Sequence, residues 1–154
     1  TAELHGLIPT RTLFRVPASG PMARVEPGPD GVLRLQVGDV IEEVAELATP
    51  EDRAHVALRL PLPAGLEPLN PNLANATADA APSAGPTLAP DYASFGDDEV
   101  VRVWLTLPRG TVTVRHRLRA TVPGTYTYPP ATAAMLYRPG VDGSTAGLRI
   151  AVAP

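Results

Sequence analysis

The strongest pattern along the chain is a strict alternation over Thr111–Val122, TVTVRHRLRATV. Val112, Val114, His116, Leu118, Ala120 and Val122 point one way, and Thr111, Thr113, Arg115, Arg117, Arg119 and Thr121 point the other. A period of two sustained by β-branched residues predicts a strand with one buried face. Glu99–Leu107 behaves similarly, with Val101, Val103, Leu105 and Leu107 on one face and Arg102, Trp104 and Thr106 opposite. Pro108-Arg109-Gly110 between the two reads as a short turn, so an antiparallel hairpin is expected. Upstream, Val32–Val37 places Leu33, Leu35 and Val37 inward. After Gly38-Asp39, Val40–Ala48 forms the next strand, its phase blurred by Glu42-Glu43. His55–Leu60 sets Val56, Leu58 and Leu60 on one face, and Leu13–Val16 and Leu148–Val152 are shorter strands near the ends.

Prolines (19) and glycines (13) cut the sequence into strand-length pieces. About seven strands joined by such turns predict an all-β antiparallel sandwich. One short helix is expected near the C-terminus, over Ala131–Tyr137. Pro129-Pro130 starts it, and Arg138-Pro139-Gly140 stops it because a residue before proline leaves the α region. Leu73–Pro90, LANATADAAPSAGPTLAP, lacks apolar periodicity. It is expected as a long surface loop with the composition of disordered chain. The strands on either side need one another to close a core, so residues 1–154 read as a single domain without internal repeats.

Composition narrows the partners. The 154 residues, 44% hydrophobic and 19% charged, suit a globular domain. A net charge of -3 argues against nucleic acid, which wants a basic face. All 13 basic residues are arginine, read here as the codon bias of a GC-rich genome. With 0 cysteines there is no disulfide framework, thiol nucleophile or cysteine metal site. No stretch approaches the ~20 apolar residues of a membrane span. The chain begins at Thr1 with no targeting signal, so it is expected to be a piece of a much larger protein whose targeting segment lies upstream.

Candidate chemistry is sparse. His116 lies on the apolar face of its strand and reads as a hydrogen-bonded, mostly buried histidine. His5 and His55 share no ligand spacing with it, so no zinc site is expected. Asp97, Asp98 and Glu99, with Asp91 nearby, lack the alternating ligands of a Ca²⁺ loop and read as a solvated acidic turn. With 5% aromatic residues, a glycosidase cleft around those carboxylates is disfavoured. Arg115, Arg117 and Arg119 form a stripe that either stays solvated or pairs across strands with Glu42, Glu43 or Glu46. Asn75-Ala76-Thr77 matches the glycosylation sequon, a short match that carries no weight alone. Ser19, Ser83, Ser94 and Ser144 lack a nucleophile-elbow context, and no phosphate-binding glycine loop is present. No catalytic residue, metal or cofactor is assigned.

Four segments together resemble a known family. Pro123–Leu148, PGTYTYPPATAAMLYRPGVDGSTAGL, joins a glycine turn, a tyrosine-rich strand, a Pro-Pro start and a Tyr-x-Pro exit. It is similar to the C-terminal end of bacterial α2-macroglobulin-like proteins. Leu35–Val40 (LQVGDV), Leu60–Pro71 (LPLPAGLEPLNP) and Asp97-Asp98 before Val100-Val101 resemble further pieces of that family, in its order, from Gly6 to Val152. The resemblance implies a sandwich of macroglobulin type, the last domain of the parent and the counterpart of the eukaryotic receptor-binding domain. It also implies a periplasmic protease trap, an endopeptidase inhibitor for bacterial defence, in a parent that some members anchor to the inner membrane as a lipoprotein. There a protease cuts a bait region and a Cys–Gln thioester in a separate domain acylates the attacker. A chain without cysteine does not hold that nucleophile, so the implied role is non-catalytic: packing on the thioester domain and keeping water and amines off the bond. The implied partners are the thioester and neighbouring macroglobulin domains of the same parent, and target proteases through it.

In the family a Met-Tyr pair contributes to that shield. The matching positions are Leu136 and Tyr137, with Met135 one step before. Tyr137 matches and Leu136 departs from the pattern, although leucine also excludes water. The rival reading is an Ig-like binding or adhesion module of the cell envelope, which would show an exposed aromatic patch or a paired edge strand.

Overall fold

The computed structural model describes residues 2–73 and 76–154. Its strands are β1 Glu3–His5, β2 Ile8–Val16, β3 Ala23–Arg24, β4 Val32–Gln36, β5 Val40–Thr49, β6 Arg53–Pro61, β7 Leu66–Leu69, β8 Tyr92–Phe95, β9 Glu99–Leu107, β10 Gly110–Ala120, β11 Gly124–Tyr128, β12 Thr132–Met135, β13 Asp142–Ser144 and β14 Leu148–Ala153. They form three sheets, in the orders β1-β13-β12-β6-β9-β8, β3-β2-β5-β10-β7 and β11-β14-β4. Neighbouring strands run antiparallel apart from β14 and β4, which are parallel.

The five-stranded sheet is shared between two cores. Ala45, Leu47, Val112 and Val114 from one half of it meet Val56, Leu58, Val100 and Trp104 of the six-stranded sheet. Ile41, Leu118 and Ala120 from the other half meet Leu33, Leu35, Ile150 and Val152 of the three-stranded sheet. The alternation in β10 puts Val112, Val114, His116, Leu118 and Ala120 in the interior, as expected, while Val122 beyond its end is exposed. Fully burying one aliphatic side chain is worth about 1.5–3 kcal/mol, so both cores are substantial.

Three expectations need correction. The proposed helix over 131–137 is strand β12, lying between β6 and β13. Ala131 and Ala133 are buried while Thr132 is exposed, which is period two. A two-turn segment is too short to hold itself helical, and two flanking strands offer it a complete ladder. The expected hairpin of β9 and β10 is also absent: β9 pairs with β6 and β8, and β10 with β5 and β7. Leu107 and Val112 belong to the same core, so the turn at 108–109 carries the chain from one sheet to the facing one. The phase of β9 is inverted too as far as Leu105, while Leu107 is buried as expected. Val100, Arg102 and Trp104 point inward and Val101, Val103 and Leu105 outward. Arg102 Nη2 donates to Arg115 O at 2.9 Å and Trp104 Nε1 to Leu88 O at 3.1 Å, while Arg102 Nη1 is buried without an acceptor among the described residues.

Residues 76–90 lie at the surface, as their composition predicts, but they are held down as a strap. A 3₁₀ turn, Ala78–Ala80, sits beside β10. Ser83 donates to Glu42 from its amide at 2.7 Å and its hydroxyl at 2.5 Å, and Thr87 exchanges hydrogen bonds with the Thr113 backbone. Asn75 of the sequon lies outside the described residues.

Candidate functional site

β12 and β13 are neighbours in register, Thr132 with Ser144 and Ala134 with Asp142. The link between them is a tight loop at one end of the six-stranded sheet. Met135 N donates to Val141 O at 3.1 Å, and Gly140 adopts φ +91°, a left-handed value that glycine meets without strain. The three residues singled out from the sequence separate here. Met135 is half-buried and packs against the core. Leu136 and Tyr137, next in line, stand on the loop at 47% and 79% exposure. Met135 therefore anchors the loop, and Leu136 and Tyr137 present apolar surface to the outside.

The loop is tied to β6 through one residue. Leu136 N donates to His55 O at 2.7 Å. The imidazole of His55 meets the Tyr137 ring edge to face, with centroids 5.0 Å apart and planes at 77°. His55 has φ +55° and is the one non-glycine residue at positive φ among those described. On its other side stands β9: Ala54 pairs with Thr106 and Val56 with Trp104, which puts Leu105 opposite His55. Leu105 is 53% exposed, and on the neighbouring β8 Tyr92, paired with Val103, is also exposed. From the sequence, His55 is only the start of a strand, without ligand spacing to another histidine. Nothing local in the sequence signals its contact with Tyr137, eighty-two positions later.

The remaining candidates are structural. Arg115 Nη1 and Arg117 Nε each donate to Glu42 at 3.0 Å, so the arginine stripe is paired across strands as one reading held. Burial opposes charge on Glu42, but Ser83, Arg117 and Arg115 together outweigh it and hold the carboxyl below its ordinary range. Arg119 pairs with Asp79 of the strap. Glu43 points to the opposite side of the sheet, into the interior. His116 is buried as expected, yet neither ring nitrogen has a hydrogen-bond partner among the described residues; its nearest carboxylate oxygen is Glu43 Oε2 at 3.9 Å. Asp91 Oδ2 accepts from Leu105 N at 2.7 Å and Glu99 pairs with Arg59, so these two carboxylates serve contacts between neighbouring strands. Among the described residues no group of three or more His, Asp or Glu is arranged to hold a metal ion.

The family model of the bacterial alpha-2-macroglobulin MG10 domain matches residues 6–140. The chain belongs to that family. An alpha-2-macroglobulin homolog from Nostoc sp. is 26% identical over 123 residues, covering 80% of this chain and 6% of that protein. Native E. coli alpha-2-macroglobulin superposes on all of the chain at TM-score 0.76 and 24% identity, with 10% of its own length matched. The E. coli fragment running from domain MG7 to the C-terminus covers 99% of the chain at TM-score 0.73 and 23% identity, with 24% of the fragment matched. This MG10-family chain thus spans a small part of the relatives it matches, and it shares the macroglobulin sandwich with them.

Proposed function

We propose that this MG10-family chain is the non-catalytic C-terminal domain of a bacterial α2-macroglobulin-like protease trap, and that it packs on the thioester domain and shields the thioester. The observation that carries the reading is the placement of Leu136 and Tyr137. Both are exposed side by side on a loop tied to β6 at His55, and by the resemblance they correspond to the family's shielding pair. An exposed tyrosine on a braced loop supplies a rigid ring that excludes water and a hydroxyl that stays wet at the rim. Met135, half-buried behind them, holds the loop to the core. The match inside the MG7-to-C-terminus fragment of the E. coli protein supports a place near the end of the parent. The partners are the thioester and macroglobulin domains of the same parent, with proteases engaged through them, in the periplasm.

The test uses the full-length parent, wild type beside Tyr137→Ala, with methylamine incorporation followed by intact mass. Faster incorporation in the variant at unchanged thermal stability supports the shield. Equal incorporation in both leaves Tyr137 as a packing residue and overturns the reading.

A further inference from the structure

The geometry points to His55 as the positioning residue of Tyr137: its imidazole props the tyrosine ring in the orientation presented to the neighbouring domain. The proposal rests on the shielding role just described. Three independent features converge on it. His55 lies within a strand that keeps the same register on either side of it, Ala54 with Thr106 and Val56 with Trp104, but the ladder skips His55 itself, whose backbone is left-handed at φ +55°. Such a conformation costs a non-glycine residue free energy that extended backbone would not, and departures of this kind cluster where a side chain must be aimed. Its carbonyl takes the Leu136 amide at 2.7 Å, which fixes the loop one residue before the tyrosine. Its ring meets the Tyr137 ring at 77° and 5.0 Å, within the edge-to-face range in which aromatic pairs attract.

Tyr137 needs such a prop because the rest of its surroundings is solvent, with 79% of its surface exposed. A free tyrosine on a loop rotates about two side-chain torsions, and immobilising it at the moment of docking weakens the contact it makes. A ring already held by His55 meets its partner with that ordering done. The role assigned to His55, itself exposed beside the loop, is to orient the Tyr137 ring.

The experiment uses the full-length parent with His55→Asn, His55→Phe, Tyr137→Ala and the double variant His55→Asn/Tyr137→Ala. Asparagine tolerates left-handed backbone and keeps the carbonyl, so it removes the ring alone; phenylalanine restores a ring. Two readouts are taken: methylamine incorporation by intact mass, and nitration of Tyr137 by tetranitromethane, located by peptide mass spectrometry. Expected for His55→Asn is an increase in both rates of about two- to tenfold, the span an edge-to-face contact covers. Expected for His55→Phe is recovery of most of that loss, and for the double variant no increase in incorporation beyond Tyr137→Ala. Wild-type nitration in His55→Asn overturns the proposal, as do equal increases in His55→Asn and His55→Phe. If Tyr137→Ala leaves incorporation unchanged while His55→Asn still speeds nitration and His55→Phe reverses it, positioning stands and the shielding reading falls.

Discussion

Tyr128, at the end of β11, donates its hydroxyl hydrogen to the carboxylate of Glu43, in the middle of β5, and both side chains are fully buried. The bond ties the three-stranded sheet to the five-stranded one at the waist where the two apolar cores meet. Glu43 and His116 are paired across β5 and β10, with Leu13 of β2 beyond Glu43, so two neighbouring positions of the shared sheet turn polar between two apolar blocks. The guanidinium of Arg11 lies 4.5 Å from the Tyr128 ring centroid and donates to Tyr128 O at 3.3 Å and Ala146 O at 3.2 Å. Burial pushes both the Glu43 carboxyl and the Tyr128 hydroxyl above their ordinary values. A polar tie between apolar surfaces fixes register where apolar contact alone would let the sheets slide.

Tyr128→Phe removes the donor and leaves Glu43 buried without it. The expected cost is about 1–3 kcal/mol, the penalty of an unsatisfied buried acceptor. In a domain of this size that lowers the midpoint of thermal unfolding by roughly 2–4 °C per kcal/mol. The double change Tyr128→Phe/Glu43→Met replaces both partners by apolar groups and is expected to cost less than the two single changes added. Thermal melts of all four proteins decide it, and strict additivity would show that the bond contributes nothing as a pair.

His116 makes stability sensitive to mild acid. Burial first, and Arg102 second, push its pKa from 6.5 down to about 3, against a smaller opposing pull from Glu42. Between those values the unfolded chain binds a proton that the folded chain refuses, so stability falls as pH drops below 6.5, by about 1.4 kcal/mol per pH unit. Glu43 works the other way. Its carboxyl is raised above 4.5, mainly by burial, so the folded state takes up a proton first and its contribution weakens as pH rises above 4.5. Melting temperatures are expected to fall more steeply from pH 7 to pH 5 in the wild type than in His116→Leu, where of the two only the opposing Glu43 contribution remains. Parallel profiles would remove His116 as the cause.

The contrast between β10 and β9 shows how far the sequence carries. In β10 each inward position but one is aliphatic, so hydropathy gives the phase directly. In β9 the inward residues include Arg102 and Trp104, which donate through Nη2 and Nε1 to backbone carbonyls of β10 and the strap, contacts made by distant chain. Glu42 and Glu43 blur the phase of β5 for a related reason. Both are buried, one under the strap and one at the waist, and neither cover is visible within the strand itself. The alanine-rich stretch 131–134 favours helix in isolation and is overruled by the open edges of β6 and β13. At the candidate site, Leu136 and Tyr137 were legible through the family pattern. His55 was not, because its importance lies in a backbone angle and a ring contact that only the fold creates.

Glu42 is the clamp of the strap. Its carboxylate accepts from Ser83, Arg115 and Arg117, and the side chain is fully buried. Glu42→Ala strands two guanidinium groups beneath residues 76–90 and is expected to cost about 3 kcal/mol, the lower range for removing one partner of a buried ionic cluster. Ser83→Ala removes only the strap's own hydroxyl and is expected to cost about 1 kcal/mol. Limited proteolysis is expected to cut within residues 76–90 faster in Glu42→Ala than in Ser83→Ala, and faster in both than in the wild type. Equal cutting rates would mean that the strap is held by its other contacts.

Gly143 connects this stability argument to the site. It sits in β13, paired with Ala133 of β12 and Leu4 of β1, in the hairpin whose loop carries Tyr137. A Cβ at this position would lie 2.0 Å from Leu7 O and 2.8 Å from Pro9 Cδ, backbone and ring atoms with little freedom to retreat. Gly143→Ala therefore forces β13 and the segment around Leu7 apart, and Leu7 is fully buried in the first core. The expected loss is about 1–3 kcal/mol, as for overpacked interiors, with faster amide hydrogen exchange in β12 and β13. Gly85→Ala is the control, since nothing lies within 4 Å of its Cβ position, and its melting temperature is expected to match the wild type. Equal stability of the two variants would show that the approach of β13 to Leu7 is not a tight contact in solution.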